Sequence, residues 1–184
     1  MKGRKIVLGI GGSSGAIYAQ RLINKLSSAN VETGVVMSSN AKVNWELEIG
    51  PFRSENIPYK IYESADYFAP FASGSAKYDT MIICPSSMGL IGRIAAGISN
   101  DLMTRAADVM LKERRKLIIV PRESPYNLIH LENMTLLSKA GAIIVPATPS
   151  FYSKPQTINQ VVDTVVDRIL DLADIDIDTY RWGN

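Results

Sequence analysis

The stretch that decides the fold is Lys5–Ala16, KIVLGIGGSSGA. A β-branched run, KIVLGI, enters a turn of glycine and serine. A helical pattern follows, with apolar residues at Ile17, Leu22, Ile23 and Leu26. A strand that feeds a glycine-rich turn and then a helix is the opening unit of an open α/β sheet. Four more runs of this kind follow: VETGVVM from Val31, TMIICP from Thr80, KLIIVP from Lys116 and AIIVPA from Ala142. They are apolar on successive residues rather than alternately, the mark of strands covered on both faces. Strands alternating with helical segments predict an open, mostly parallel sheet with helices on both faces. That is a flavodoxin-like or Rossmann-like three-layer sandwich of class α/β.

Outward from the strands, Asp101 caps a predicted helix that buries Leu102, Ala106, Val109 and Met110. Ser124 and Pro125 read as N-cap and first position of another helix, running to Ala140 and stopped by Gly141. A last helix is expected from about Gln156 to Leu172, burying Val161, Val165, Ile169 and Leu172. Glu48 falls in a helix-like segment with Trp45, and Glu46 competes with it for any role. The stretch from Gly50 to Lys77, with Pro51, Pro58 and Pro70, predicts loops around a weak strand near Tyr59–Tyr62. At 184 residues the chain is expected to form one domain, with residues 174–184 as a tail that frays or docks.

The formal net charge of +2 is too small to mark a general nucleic-acid or membrane-surface binder. One cysteine, Cys84, excludes an intrachain disulfide framework and a multi-cysteine zinc site, and one histidine, His130, limits metal chemistry further. The apolar stretch Ile6–Ile10 is too short for a signal peptide and no run approaches membrane-spanning length, so a cytoplasmic location is expected.

Chemistry is expected where the strands end. The turn GIGGSSGA suits a phosphate at a helix N-terminus, yet the dinucleotide fingerprint fails, because counting from Gly9 and Gly11 its last position is Ser14. The second strand ends in Ser38-Ser39 with no acid to read a ribose, so a mononucleotide or flavin fits better than a nicotinamide dinucleotide. A plain β–α turn remains the competing reading. CPSSMG, from Cys84 to Gly89, repeats the arrangement, although Ser86 and Ser87 are equally read as a helix cap. In PRESP, Arg122 could hold an anion and Glu123 move a proton, or the two could form a local ion pair. Lys112 belongs to a charged helix end, and His130 reads as packed or capping. Cys84 reads as a small core residue, and Tyr152 lies in a proline-flanked loop as a ligand contact or a core residue.

The strings NDLMTRAADVMLKERRKLIIVPRESPYNLIHLENM and GAIIVPATPSFYSKPQTINQVVDTVVDRILD resemble the UbiX-type flavin prenyltransferases, within a family of FMN-binding flavoproteins that includes cysteine decarboxylases. The resemblance runs from Lys5 to about Leu172. It implies an enzyme that joins a dimethylallyl group from dimethylallyl phosphate to reduced FMN at N5 and C6. The product, prenylated FMN, would serve a UbiD-type decarboxylase. No metal is implied, and the family's homo-oligomers are dodecamers built from trimers with sites at subunit interfaces. By motif, Gly12, Ser13, Ser14, Ser38, Ser86, Ser87, Met88, Gly89 and Arg122 would hold the flavin. Lys112, Tyr152 and Arg168, assisted by Arg105, would hold the prenyl phosphate. Glu123, Lys112, Glu48 and Ser14 would carry the catalysis, with Glu48 as a second acid near the donor. Gly11 stands where family members commonly have serine, and Ser13 where they have alanine. Trp182 would close the site or belong to the surface tail. The competing functions are an FMN-dependent decarboxylase, which in this family leans on an early histidine that this chain lacks before His130, and a flavin-binding scaffold without turnover.

Overall fold

The computed structural model describes residues 4–181 and Gly183. Six parallel strands form one sheet: β1 (Lys5–Ile10), β2 (Glu32–Met37), β3 (Lys60–Tyr62), β4 (Thr80–Ser86), β5 (Lys116–Pro121) and β6 (Ile143–Ile144). Their spatial order is β3-β2-β1-β4-β5-β6, so the chain reverses its direction of travel between β1 and β4. The helices are α1 (Ala16–Ser28), α2 (Ser39–Glu48), α3 (Met88–Ala95), α4 (Leu102–Lys112), α5 (Leu128–Lys139) and α6 (Ile158–Leu172).

The strands bury both faces, and the alternation within each strand divides the core in two. Ile6, Leu8, Ile10, Ile82 and Ile118 pack against α1, Trp45 of α2 and the buried face of α6. Val7, Met81, Ile83, Leu117 and Ile119 pack against α3, α4 and the Met134–Leu137 side of α5. Full burial of such an aliphatic side chain contributes about 1.5–3 kcal/mol, which anchors both helical layers. Cys84 is wholly buried, and burial pushes its thiol far above the ordinary range.

Several sequence-based boundaries shift. Helix α5 begins at Leu128 rather than Pro125, because Asn127 supplies the cap: its side chain accepts from His130 N at 2.8 Å while Asn127 N donates to His130 Nδ1. His130 is thus a capping residue. Thr157 caps α6, with Gln160 closing the capping box, so Gln156 stays outside the helix. The buried face of α6 is Val162, Val165, Val166, Ile169 and Leu170. Val161 and Leu172 sit at its half-buried margins, since the helix meets α1 as well as the sheet and presents two adjacent rows of side chains. Asp101 caps α4 as expected, and Leu102, Ala106, Val109 and Met110 are buried. The tail docks through residue 181: Ile175 is buried, and Asp174 pairs with Lys116 and Arg4. Trp182 lies outside the described residues. No helix among the described residues is long and apolar enough to cross a membrane.

Candidate functional site

Between the carboxyl ends of β1 and β4, where the strand order reverses, lies a crevice of about 260 Å³. Open α/β sheets bind ligands at this point. Gly11 and Gly12 form one wall, Ser38 and Asn40 another, and Ser87, Arg93, Asp101 and Met103 close the far side. Gly11 N donates to Pro85 O at 2.9 Å, which draws the two turns together. A Cβ at Gly11 would stand 2.6 Å from Pro85 O, and one at Gly12 2.6 Å from Cβ of Asn40. The glycines therefore set the width of the crevice.

The hydroxyls are placed by helix capping. Ser38 Oγ accepts from Ala41 N at 3.1 Å and Ser87 Oγ accepts from Leu90 N at 3.3 Å. Each keeps its O–H to donate into the crevice. Ser13 is buried, and its hydroxyl has no hydrogen-bond partner among the described residues. A buried orphan hydroxyl costs free energy unless something pairs with it. Met88 is buried at the start of α3, while Gly89 faces open space.

Arg122 ties the turns to each other: its backbone N donates to Ser86 O at 3.2 Å and its Nε to Ser14 O at 3.1 Å. The neighbouring Glu123 accepts from Ser124 N at 3.0 Å and is half-buried. Glu48 reaches the same turn from the end of α2. Its carboxylate accepts from Gly15 N at 2.9 and 3.1 Å and from Ala16 N at 2.8 Å. Gly15, at φ +112, has no side chain with which to cap α1, so Glu48 takes that place and complements the helix dipole. Both Glu48 and its sequence competitor Glu46 are exposed, and these bonds are what separate them.

Tyr152 and Arg168 line a second, larger cavity of about 780 Å³ between the loop after β6, α6 and the docked tail. Lys154, Asp171 and Arg181 join them there. The loop reaches the ligand edge because Val145 N and Ala147 N continue the pairing along β5, to Ile119 O and Pro121 O. Lys112 and Arg105 are elsewhere in the chain. Helix α4 starts at the crevice and carries Lys112 about 16 Å along its axis, to the opposite edge of the sheet, at 1.5 Å per residue. There Lys112 pairs with Glu113, while Arg105, in the first turn of α4, is held by Ala72 O and Asp108, and α4 covers the face of the sheet opposite to α6. One chain does not bring these two cations to Tyr152 and Arg168.

Sequence reasoning missed Asn40, Ser64, Arg93 and Met103 in the crevice, and Lys154, Asp171 and Arg181 in the larger cavity. Ser64 comes from the irregular 50–77 stretch and is fixed because Leu102 N donates to its carbonyl at 2.7 Å. Burial pushes the Asp101 carboxyl up, but Thr104 N–H, Arg93 and the Thr104 hydroxyl together hold it below the usual carboxylate range.

The flavoprotein family model matches residues 1–170. A flavin prenyltransferase UbiX from Methanocaldococcus jannaschii is 45% identical over 182 residues, covering 97% of this chain and 98% of that protein. The crystal structure of AnUbiX (PadA1) in complex with FMN and dimethylallyl pyrophosphate is 40% identical with a TM-score of 0.94, and covers 100% of this chain and 99% of that one. A dodecameric FMN-dependent UbiX-like decarboxylase from Escherichia coli O157:H7 is 40% identical with a TM-score of 0.90, covering 98% and 100% of the two chains.

Proposed function

Because the chain belongs to the flavoprotein family and, within it, to the UbiX-type flavin prenyltransferases, we propose that the switch-point crevice seats reduced FMN and the Tyr152–Arg168 cavity receives the prenyl phosphate. The protein is an enzyme that prenylates FMN. The orphaned Ser13 hydroxyl, the narrow Gly11–Gly12 wall and the free O–H groups of Ser38 and Ser87 suit a flavin and its phosphate. Ser14, Ser86, Met88 and Gly89 complete the two turns around it. Reduced FMN supplies the nucleophilic N5 and C6 to which the dimethylallyl carbons become joined.

The protein's part is to orient the donor and stabilise its leaving group. Arg168 and the Tyr152 hydroxyl take the phosphate, whose charge grows as the C–O bond breaks, and fixed cations favour that charge separation. Lys112 serves the same phosphate from a neighbouring copy, with Arg105 behind it on the same helix. That accounts for its distance from Arg168 within one chain, and for a homo-oligomer like the dodecameric relative. Glu123 transfers protons to and from the departing phosphate, and Glu48, fixed at the N-terminus of α1, is the second acid. A UbiD-type decarboxylase receives the product.

The observation that carries this reading is Arg122, which stitches the first turn to the end of β4 and sets Glu123 beside them. Glu123→Gln tests it, because the amide keeps the shape and removes the proton-transfer group. Prenylated-flavin formation is expected to fall at least about 100-fold, the low end for general acid–base catalysis, with FMN still bound. Unchanged turnover would remove Glu123 from the mechanism.

A further inference from the structure

In the larger cavity one carboxylate holds two guanidiniums. Asp171 Oδ2 accepts from Arg168 Nη1 at 2.7 Å, and its Oδ1 accepts from Arg181 Nη1 at 2.9 Å. Earlier on the same helix, Asp163 meets no second guanidinium among the described residues, and both of its oxygens engage Arg21: Nε to Oδ1 at 2.8 Å and Nη2 to Oδ2 at 2.6 Å, with the Lys25 ammonium 3.5 Å away. The two-point fork is the geometry that arginine and carboxylate favour. Arg168 makes a one-point contact with Asp171, and Arg181 sits on the second oxygen.

Arg181 is brought there by built structure. Thr179 Oγ1 donates to Asp167 Oδ2 at 2.8 Å, Ile175 is buried, and Ile177 packs on the core. The hydrogen bond from Arg181, then the charges of Arg181 and Arg168, hold the Asp171 carboxyl below the usual carboxylate range, so it stays ionised at neutral pH.

We propose that Arg181 is a positioning residue for capture of the prenyl phosphate: by holding one oxygen of Asp171 it limits Arg168 to a one-point contact and leaves the other Arg168 donors for the phosphate. The proposal rests on the assignment of Tyr152 and Arg168 to the donor. Without Arg181, Asp171 closes a fork on Arg168 and withdraws it. Neutralising Asp171 then releases Arg168 again.

The experiment is steady-state prenylation by the full-length oligomer, with reduced FMN saturating and dimethylallyl phosphate varied, on wild type, Arg181→Ala, Asp171→Asn and the double variant. FMN titration and native mass establish that each variant is folded. Arg181→Ala is expected to raise KM for the donor about tenfold with little change in kcat or in FMN affinity, the scale of one charge-assisted hydrogen bond. Asp171→Asn added to it is expected to bring KM back to that of the Asp171→Asn single variant. A tail that acted by packing alone would not be rescued in this way. Unchanged KM in Arg181→Ala, or a double variant as impaired as Arg181→Ala, overturns the proposal while wild-type turnover keeps the functional reading. Wild-type protein that makes no prenylated flavin overturns both.

Discussion

A methyl group at Gly12 would stand 2.6 Å from Cβ of Asn40, across a crevice wall. Overpacking of this kind costs about 1–3 kcal/mol. Gly12→Ala is therefore expected to lower the melting temperature by several degrees and to weaken FMN binding at least about tenfold, as read by flavin fluorescence titration. Unchanged affinity would place the flavin elsewhere. Residues that announce themselves at strand ends were legible from sequence: Gly12, Ser38, Ser87 and Arg122 stand together because parallel strands end on one edge. Contacts made across the fold were not. The bond from Gly15 N to Glu48 spans 33 positions, and Arg181 reaches Asp171 only because the tail docks. No local pattern encodes either.

At the scale of elements, α4 links stability to the site. Asp101 caps it through Thr104 N at 2.8 Å and also pairs with Arg93 at 2.7 Å, in the wall of the crevice. Asp101→Ala is expected to cost about 1 kcal/mol or somewhat more, as loss of an N-cap does, while Asp101→Asn, which keeps a capping oxygen, costs less. Because the folded carboxyl sits lower than its ordinary value of 3.8, its contribution is complete above that pH. It is lost as pH falls from there through the folded value. Melting temperature against pH should thus show a shallower acid limb in Asp101→Asn, and an unaltered limb would mean that the ionised carboxylate adds nothing through Thr104 and Arg93. Strands were legible because burial on both faces leaves unbroken apolar runs. Helix starts were less so: Ser124-Pro125 has the composition of a cap, but Asn127 with His130 satisfies more backbone donors. On α6 the expected Val165 and Ile169 are buried but Val161 and Leu172 are only half-buried, since an apolar run such as Val161-Val162 does not say which valine faces the sheet.

Across the whole molecule, the phosphate roles proposed for Lys112 and Arg168, which lie on helices covering opposite faces of the sheet, call for more than one copy to complete the site. The surface agrees with such an assembly. Helix α5 exposes Leu128, Ile129, Leu131 and Leu136, and Phe68 is 99% exposed. Apolar residues grouped this way mark a face for another protein surface. Subunits carrying Lys112→Ala and subunits carrying Arg168→Ala are each expected to be inactive alone and to regain activity when unfolded together and refolded as mixed oligomers. Mixtures that stay inactive would require both residues to come from one chain.

The reaction assigned to this protein is attachment of a prenyl group to flavin. Anaerobic incubation with reduced FMN and dimethylallyl phosphate, followed by mass spectrometry of the extracted flavin, tests it most directly. The expected product is a flavin heavier by one dimethylallyl-derived unit. Recovery of unmodified FMN, with the pyrophosphate donor also tried, would contradict it.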